Sequence, residues 1–213
     1  MNSRSTVLKA ANMKWLVALA ALDATLVLLL LAPSLVDVGA VAALRAACIT
    51  ALPVVVLLLI GVLSHNAKAV LVYWRLKDPL PGSEAFTKHA TADARIDIKA
   101  LAKNVGALPS DPREQNAVWY KLYRRVSGDP AVAEAHKLYL LYRDMAVMSL
   151  VLLPVVPATL WYAGASPGSQ GITALIFLTQ YLACAMAARH SGIRLVSNVL
   201  AIHSTTKVKA PST

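Results

Sequence analysis

Four long apolar runs divide the chain into alternating apolar and polar segments. They occupy residues 15–32, 46–63, 145–163 and 172–188. At about 1.5 Å of rise per residue, each run covers most or all of a hydrocarbon core roughly 30 Å thick. The first run carries one charge, Asp23, and the others carry none. We therefore predict four transmembrane helices, arranged as two hairpins on either side of a polar segment.

The polar segment, residues 64–144, has the start and stop signals of several short helices. Asp97 is placed to begin a helix that ends near Gly106. Asp111 followed by Pro112 is typical of a helix N-terminus, with the aspartate as N-cap and proline at the first helical position. Asp129 precedes a further helix that runs into the third apolar run without a break. The segment is therefore predicted to be all-helical.

The polar residues that follow the second apolar run contain no helix breaker until Asp78 and Pro79. This pattern predicts that the second span continues unbroken into the cytoplasm. The sequence DPLPG then predicts an extended turn, with Gly82 allowing a tight reversal of the chain.

The predicted fold class is an all-α integral membrane protein, in which four transmembrane helices form two hairpins and a helical cytosolic domain is inserted between spans two and three. The predicted boundaries are a cytosolic N-terminal tail at 1–14, hairpin 1 at 15–63, the cytosolic domain at 64–144, hairpin 2 at 145–189 and a cytosolic C-terminal tail at 190–213.

Composition and charge agree with this topology. The chain is 57% hydrophobic and only 15% charged, which is unusual for a soluble domain. The formal net charge is +10, and most Lys and Arg residues lie in the two tails and the polar segment. The positive-inside rule therefore places both termini and this segment in the cytoplasm. The excess charge is explained either by topology and attraction to anionic lipid or by a site for a polyanionic ligand.

Asp23 is the most informative single residue because it lies in the middle of the first apolar run. A carboxylate at that depth costs about 2.5–3.5 kcal/mol on insertion scales, so it is expected to face a bundle interior or water. In a symmetric oligomer, copies of Asp23 would line a cation pore. Alternatively, Asp23 is protonated or hydrogen-bonded within the bundle of one subunit.

Basic and aromatic residues interleave three times in the polar segment, a combination that single-stranded nucleic-acid sites use for phosphates and bases. The candidate ligand-binding residues are Arg75, Lys77, Trp119, Lys121, Tyr123, Arg124, Arg125 and Lys137. The alternative interpretation is structural: aromatic residues near the spans anchor at the membrane surface, and those further away form the core of the helical domain.

No motif indicates an enzyme, a cofactor or a metal site. The chain lacks the HExxH, GxSxG, P-loop and GxGxxG patterns, and Cys48 and Cys184 are interpreted as packing residues within or beside spans. The residues His89, Asp93, Arg95 and Asp97 lie close together in a predicted loop, so a carboxylate–histidine site is conceivable, although such a run is more often a solvated loop with an aspartate cap. We predict no catalytic residues and no cofactor.

The stretches PLPGSEAF, ARID, DPREQNAVWYKLY and AEAHKLYLLYRD, set between two hydrophobic hairpins, resemble small bacterial four-span transmembrane effectors of anti-phage defence systems that are linked to a nucleotidyltransferase, the Hailong type in particular. The resemblance implies a homo-oligomeric, tetrameric channel in the inner (plasma) membrane. It also implies a cytosolic domain that binds single-stranded DNA made by the partner enzyme.

The resulting hypothesis is a membrane channel or pore-forming effector, gated by a nucleotide or single-stranded oligonucleotide, that depolarises the membrane in anti-phage defence. Two alternatives remain at this point: a non-enzymatic membrane scaffold that docks a cytosolic partner, and a membrane-embedded enzyme acting on lipid or a phosphorylated substrate.

Overall fold

A computed structural model describes residues 3–31 and 40–206, and all regular elements within these ranges are helical. The α-helices are α1 (Ser3–Leu31), α2 (Ala40–Leu59), α3 (His65–Tyr73), α4 (Ala90–Ala92), α5 (Ile98–Val105), α6 (Pro112–Val126), α7 (Pro130–Tyr162) and α8 (Pro167–Thr205). Short 3₁₀ segments at Ile60–Val62 and Pro81–Glu84 and a π-helical segment at Ala85–His89 complete the set. The all-α prediction is confirmed. The loop between the first two predicted spans, which includes Asp37, and the last residues of the C-terminal tail lie outside the described residues.

Three helices are long and apolar enough to cross a membrane. They are the stretch Asn12–Leu30 of α1, α7 and α8. A fourth span exists only if Ala51–Val62 and His65–Tyr73, which are bent by 115° at the break between them, count as one. The chain is thus membrane-associated, with three continuous candidate spans.

The break after α2 corrects the prediction of an unbroken second span. Leu63 has an extended backbone, with φ −67° and ψ 134°. Ser64 then starts a new helix, because its Oγ accepts a hydrogen bond from the backbone N–H of Ala67 at 3.1 Å. The new helix α3 ends at Tyr73, since Trp74 has a left-handed φ of +54°.

The chain divides into two compact units. The membrane unit comprises residues 1–68 and 141–186, and the head unit comprises 69–140 and 187–213. In the membrane unit, residues such as Leu16, Val27 and Phe177 are buried, whereas many large apolar side chains point outward, including Val62 at 84% exposure. Outward apolar side chains suit a surface that faces lipid.

A buried charge cluster lies in the membrane unit, where α7 changes from polar to apolar sequence. Oδ1 of Asp144 accepts hydrogen bonds from Lys68 Nζ at 3.0 Å and from Arg143 Nη2 at 2.9 Å. Arg143, only 2% exposed, also donates from Nη1 to Nδ1 of His65 at 2.9 Å. Lys68 and Arg143 therefore share one carboxylate, which lowers the cost of burying both cations.

The head unit has a core of its own, to which α5, α6, the first half of α7 and the second half of α8 contribute. Buried apolar residues include Leu101, Leu122, Val132 and Val199. Helix α8 continues to Thr205. The first part of the predicted C-terminal tail, which begins at residue 190, is therefore helical. The helix continues because apolar residues recur at helical spacing there, so that one face can be buried.

The predicted helix starts in the head unit are confirmed. Asp97 accepts backbone N–H bonds at the start of α5, and Asp111 does so at the start of α6 with Pro112 at the first helical position. Oδ1 of Asp129 accepts from the N–H groups of Ala131 and Val132 at the start of α7. Helix α7 then runs without interruption from Pro130 to Tyr162, as predicted.

Gly82 has a different role from the one predicted. It lies in a 3₁₀ turn and is buried. A Cβ at this position would come within 2.6 Å of both Asn116 Oδ1 and Trp119 Cε3. Glycine is therefore required because the Trp119 ring packs directly on the backbone here, and not for a tight reversal.

We expect Gly82→Ala to lower the stability of the protein by about 1–3 kcal/mol, because the added methyl group overlaps the Trp119 ring in a packed core. The measurement is the thermal midpoint of the detergent-solubilised protein by circular dichroism. Gly171→Ala is the control, since a Cβ at Gly171 meets nothing within 4 Å. Equal midpoints for the two variants would contradict this role of Gly82.

Candidate anion-binding site

A cavity of about 180 Å³ lies in the head unit. Its lining residues are Tyr73, Arg75, Leu80, Pro81, Glu84, Lys88, His89, Arg189 and Ile193. Three of these are cations and one is a carboxylate, so the charged lining has a surplus of two positive charges. This excess of positive charge attracts anions.

Local backbone geometry brings the cavity residues together. The left-handed conformation of Trp74, with φ +54°, ends α3 and turns the chain so that Arg75 can line the cavity. A bulky residue in this conformation is uncommon and costs free energy, and such positions concentrate at functional sites. The π-helical segment Ala85–His89 contributes Lys88 and His89. Such π-helical turns also occur frequently at functional sites.

Glu84 holds two of the cations. Its Oε1 pairs with Arg75 Nη1 at 2.9 Å, and its Oε2 pairs with Lys88 Nζ at 3.4 Å. Both cations are substantially exposed, so these pairs add little to stability. The two ion pairs hold Arg75 and Lys88 at the cavity. Because one carboxylate serves two cations, one positive charge remains uncompensated.

Arg189, from α8, is the third cation and is held on two sides. Its Nε donates to the backbone carbonyl of Val72 at 2.6 Å. Its guanidinium carbon lies 3.6 Å from the ring centroid of Trp74, a cation–π contact. Its buried Nη2 has no hydrogen-bond partner within the described part of the chain. A buried guanidinium N–H without an acceptor is costly, so this atom is ready to donate to an anion.

His89 is buried at the cavity. Burial lowers the pKa of its imidazole below 6.5; the negative charge of Glu84 opposes this shift, and the positive charges of Lys88 and Arg75 add to it. His89 is therefore neutral at pH 7. It offers a ring nitrogen for hydrogen bonding without adding to the positive charge of the cavity.

The ligand-binding residues predicted from the sequence fall into different places. Arg75 lines the cavity, and Lys77 is exposed near it in sequence. Exposed cations on α6 are Lys121, Arg124 and Arg125, while Lys137 on α7 is half-buried. None of these four lines the cavity.

The two predicted aromatic residues lie largely inside the head unit. Trp119 is only 7% exposed and stacks on Tyr123 with 5.7 Å between ring centroids. The hydroxyl of Tyr123 forms a hydrogen bond with Nδ1 of His136 at 2.8 Å. This placement agrees with the structural interpretation of these rings, as parts of the core.

The loop residues considered for an enzyme have structural partners. Arg95 Nη2 pairs with Asp93 Oδ2 at 2.7 Å, and hydrogen bonds from Arg95 lower the pKa of Asp93 to about 2. Asp97 caps α5. Within the described residues, no group of three or more His, Cys, Asp or Glu side chains could hold a metal ion.

Asp23 is enclosed within the membrane unit of the single chain, at 1% exposure. Gln180 Nε2 donates to its Oδ2 at 3.3 Å and to Ser149 Oγ at 2.9 Å. Ser149 in turn donates to the Met145 carbonyl at 2.9 Å. This network joins α1, α7 and α8, and it corresponds to the alternative in which Asp23 is hydrogen-bonded inside one subunit.

The Asp23–Gln180 contact can be tested by a double-mutant cycle. Replacing either residue with leucine removes the hydrogen bond, so we expect Asp23→Leu and Gln180→Leu to be non-additive in unfolding free energy. The expected coupling is about 0.6–1.7 kcal/mol, as for other hydrogen bonds between membrane helices. Thermal or chemical unfolding in detergent measures it. Strictly additive effects would mean that the two side chains do not interact.

We expect His89→Gln to reduce the loss of stability on acidification. Because the pKa of His89 is lower in the folded than in the unfolded protein, the unfolded chain binds more protons below pH 6.5. The free energy of unfolding therefore falls as the pH is lowered through and below 6.5. Well above this pH, the imidazole is neutral in both the folded and the unfolded state, so His89 causes no loss of stability. Thermal midpoints between pH 5 and pH 7.5 measure the slope.

The matched control is His190→Gln, which replaces an exposed histidine of α8. It should leave the dependence of the midpoint on pH close to that of the wild type. A wild-type slope in His89→Gln would show that His89 is not the buried neutral group described here.

The cavity thus combines a neutral imidazole with three cations, one of which is an arginine with an open N–H donor, all within one unit of the chain. This set of groups is suited to a compact anion such as phosphate or sulfate. No family model, curated protein or solved structure matches this chain.

Proposed function

We propose that this protein is an oligomeric membrane channel or pore-forming effector whose head unit binds a phosphorylated ligand, a nucleotide or a single-stranded oligonucleotide. The observation that carries the proposal is the cavity in the head unit, with Arg75, Lys88 and Arg189 around it. The proposed setting is a bacterial inner membrane, where opening of the channel depolarises the cell in anti-phage defence.

The chemistry of the cavity favours a phosphate group. Two of its three cations are arginines, whose planar guanidinium groups bind phosphate oxygens through paired N–H donors. Arg189 is pre-positioned by Val72 and Trp74, so little side-chain entropy is lost when it donates to a ligand.

A longer ligand has a second basic surface within the head unit. Helix α6 exposes Lys121, Arg124 and Arg125 together with Tyr120, which is 49% exposed. Cations that follow the phosphates and an aromatic ring on which a base can stack are the usual elements of single-strand binding. This surface supports an oligonucleotide as well as a mononucleotide.

A ligand on the head unit can act on the membrane through α7 and α8. Both helices contain a candidate span and also extend into the head unit without interruption. Binding shifts a conformational equilibrium by the difference in affinity for the two states. A single subunit with three or four spans is too small to enclose a hydrated pore, so the proposal includes a homo-oligomer, a tetramer.

A scaffold that docks a cytosolic partner, such as a nucleotidyltransferase, is the second candidate. It is favoured by large apolar side chains exposed on the head unit, above all Leu76 at 89%. Recovery of a stoichiometric partner from the native host, together with no affinity for ATP or single-stranded DNA, would favour the scaffold over the channel.

The channel is tested by ion flux in liposomes that contain the purified protein, with and without a short single-stranded DNA oligonucleotide. We expect flux that the oligonucleotide changes, because the ligand binds the two states with different affinity. Arg189→Ala is expected to reduce the response to DNA while basal flux remains.

Lys103→Ala serves as the control, since Lys103 is an exposed cation of α5 that does not line the cavity. It should conduct and respond like the wild type. Absence of flux under all ligand conditions would rule out a channel, and a response to DNA that survives Arg189→Ala would rule out the cavity as the controlling site.

A further inference from the structure

We propose that the head cavity recognises a terminal phosphate of the ligand, a phosphomonoester, in preference to the internal phosphodiesters of a nucleic-acid strand. This inference rests on the proposed function, in which the head unit binds a phosphorylated ligand. It adds a rule of selection: a strand with a phosphorylated end is distinguished from the same strand with a free hydroxyl end.

The size of the cavity favours a single phosphate group. Pockets that enclose whole drug-sized ligands have volumes of about 300–1,000 Å³, whereas this cavity has about 180 Å³. A nucleoside, with its base and sugar, needs a pocket in the larger range of volumes. The cavity is therefore suited to one small group at the end of a ligand whose remainder lies outside.

The charge of the cavity matches a terminal phosphate better than an internal one. Three cations and Glu84 leave a surplus of two positive charges, and His89, being neutral, adds nothing. A phosphomonoester carries about −1.5 to −2 at pH 7, whereas each internal phosphodiester carries one negative charge. A terminal phosphate can thus neutralise the surplus, and an internal phosphate leaves part of it uncompensated.

The donors come from three separate segments of the chain. Arg75 follows α3, Lys88 belongs to the π-helical segment, and Arg189 belongs to α8. A phosphomonoester offers three strong acceptor oxygens, so each of the three cations can donate to a different one. The buried Nη2 of Arg189, which has no partner in the described residues, gains the most from such a bond.

Glu84 is expected to lower the affinity of the cavity for an anion. Its carboxylate pairs with Arg75 and Lys88, and it repels an incoming anion. A ligand must therefore compete with Glu84 for both cations. Glu84→Gln keeps the shape of the side chain and removes its charge, so it should strengthen the binding of a terminal phosphate while most other cavity variants weaken it.

The test compares strands of one sequence that differ only at their ends: phosphate at the 5′ end, phosphate at the 3′ end, or hydroxyl at both. Fluorescence anisotropy with the full-length protein in nanodiscs measures each affinity. We expect one phosphorylated strand to bind about tenfold or more tightly than the hydroxyl strand, since a hydrogen bond to a charged group contributes about one such factor.

Variants connect this preference to the cavity. Arg189→Gln should bring the affinity for the phosphorylated strand close to that for the hydroxyl strand, and an unchanged circular-dichroism spectrum and thermal midpoint will show that the variant is folded. Glu84→Gln should raise the affinity for the phosphorylated strand severalfold. Arg124→Ala on α6 should weaken binding of all strands by a similar factor, since it acts on the strand backbone.

The outcomes separate the two proposals. Equal affinity of the wild type for all three strands would overturn the recognition of a terminal phosphate and leave the proposed function standing. A preference that persists in Arg189→Gln would place the recognition outside the cavity and overturn the inference as well. No binding of any strand, together with no binding of ATP, would overturn both proposals.

Discussion

The pairing of buried charges at Asp144 is the interaction on which the rest of the structure depends. Burying a cation costs several kcal/mol unless an anion is close, and the one carboxylate of Asp144 accepts from both Lys68 and Arg143. Lys68 belongs to the first turn of α3, just after the break at Ser64. The break removes the backbone hydrogen bonds that would continue α2. The Ser64 cap starts α3, and the ion pair with α7 then holds the first turn of α3 in place.

The sequence predicted the features that depend on neighbouring residues. The N-caps at Asp97, Asp111 and Asp129 were predictable because an N-cap needs only a short polar side chain and the two or three residues after it. Ser64 carries the same signal. The signal is ambiguous there, because the apolar run before Ser64 and the helix-forming residues after it fit one continuous helix equally well. The length of α8 is not evident from the sequence for a related reason: its last turns are stabilised by burial in the head unit, and a local pattern does not show burial.

The candidate site was predictable only in part. The interleaving of basic and aromatic residues includes Arg75, which lines the cavity, but residue type alone does not tell whether a ring is exposed, and Trp119 lies in the core. Arg189 is not among the predicted ligand-binding residues, because it follows directly on an apolar run and lies far in sequence from the other cations. It reaches the cavity because α8 packs beside α3, where it contacts Val72 across 117 residues of sequence. Contacts between residues so far apart in sequence are set by tertiary packing, and no spacing of residues along the chain indicates them.

Close packing limits how α8 can move beside the cavity. In the head unit, Gly192 allows the Tyr73 hydroxyl to approach the α8 backbone so closely that any Cβ would overlap it. Helix α8 is therefore closely packed near Arg189, and it can move there only if Tyr73 repacks. Packed contacts of this kind switch between discrete arrangements and do not deform continuously. An anion that binds Arg189 must therefore fit the arrangement of α8 that Tyr73 and Gly192 set, because the helix cannot adjust gradually around a ligand.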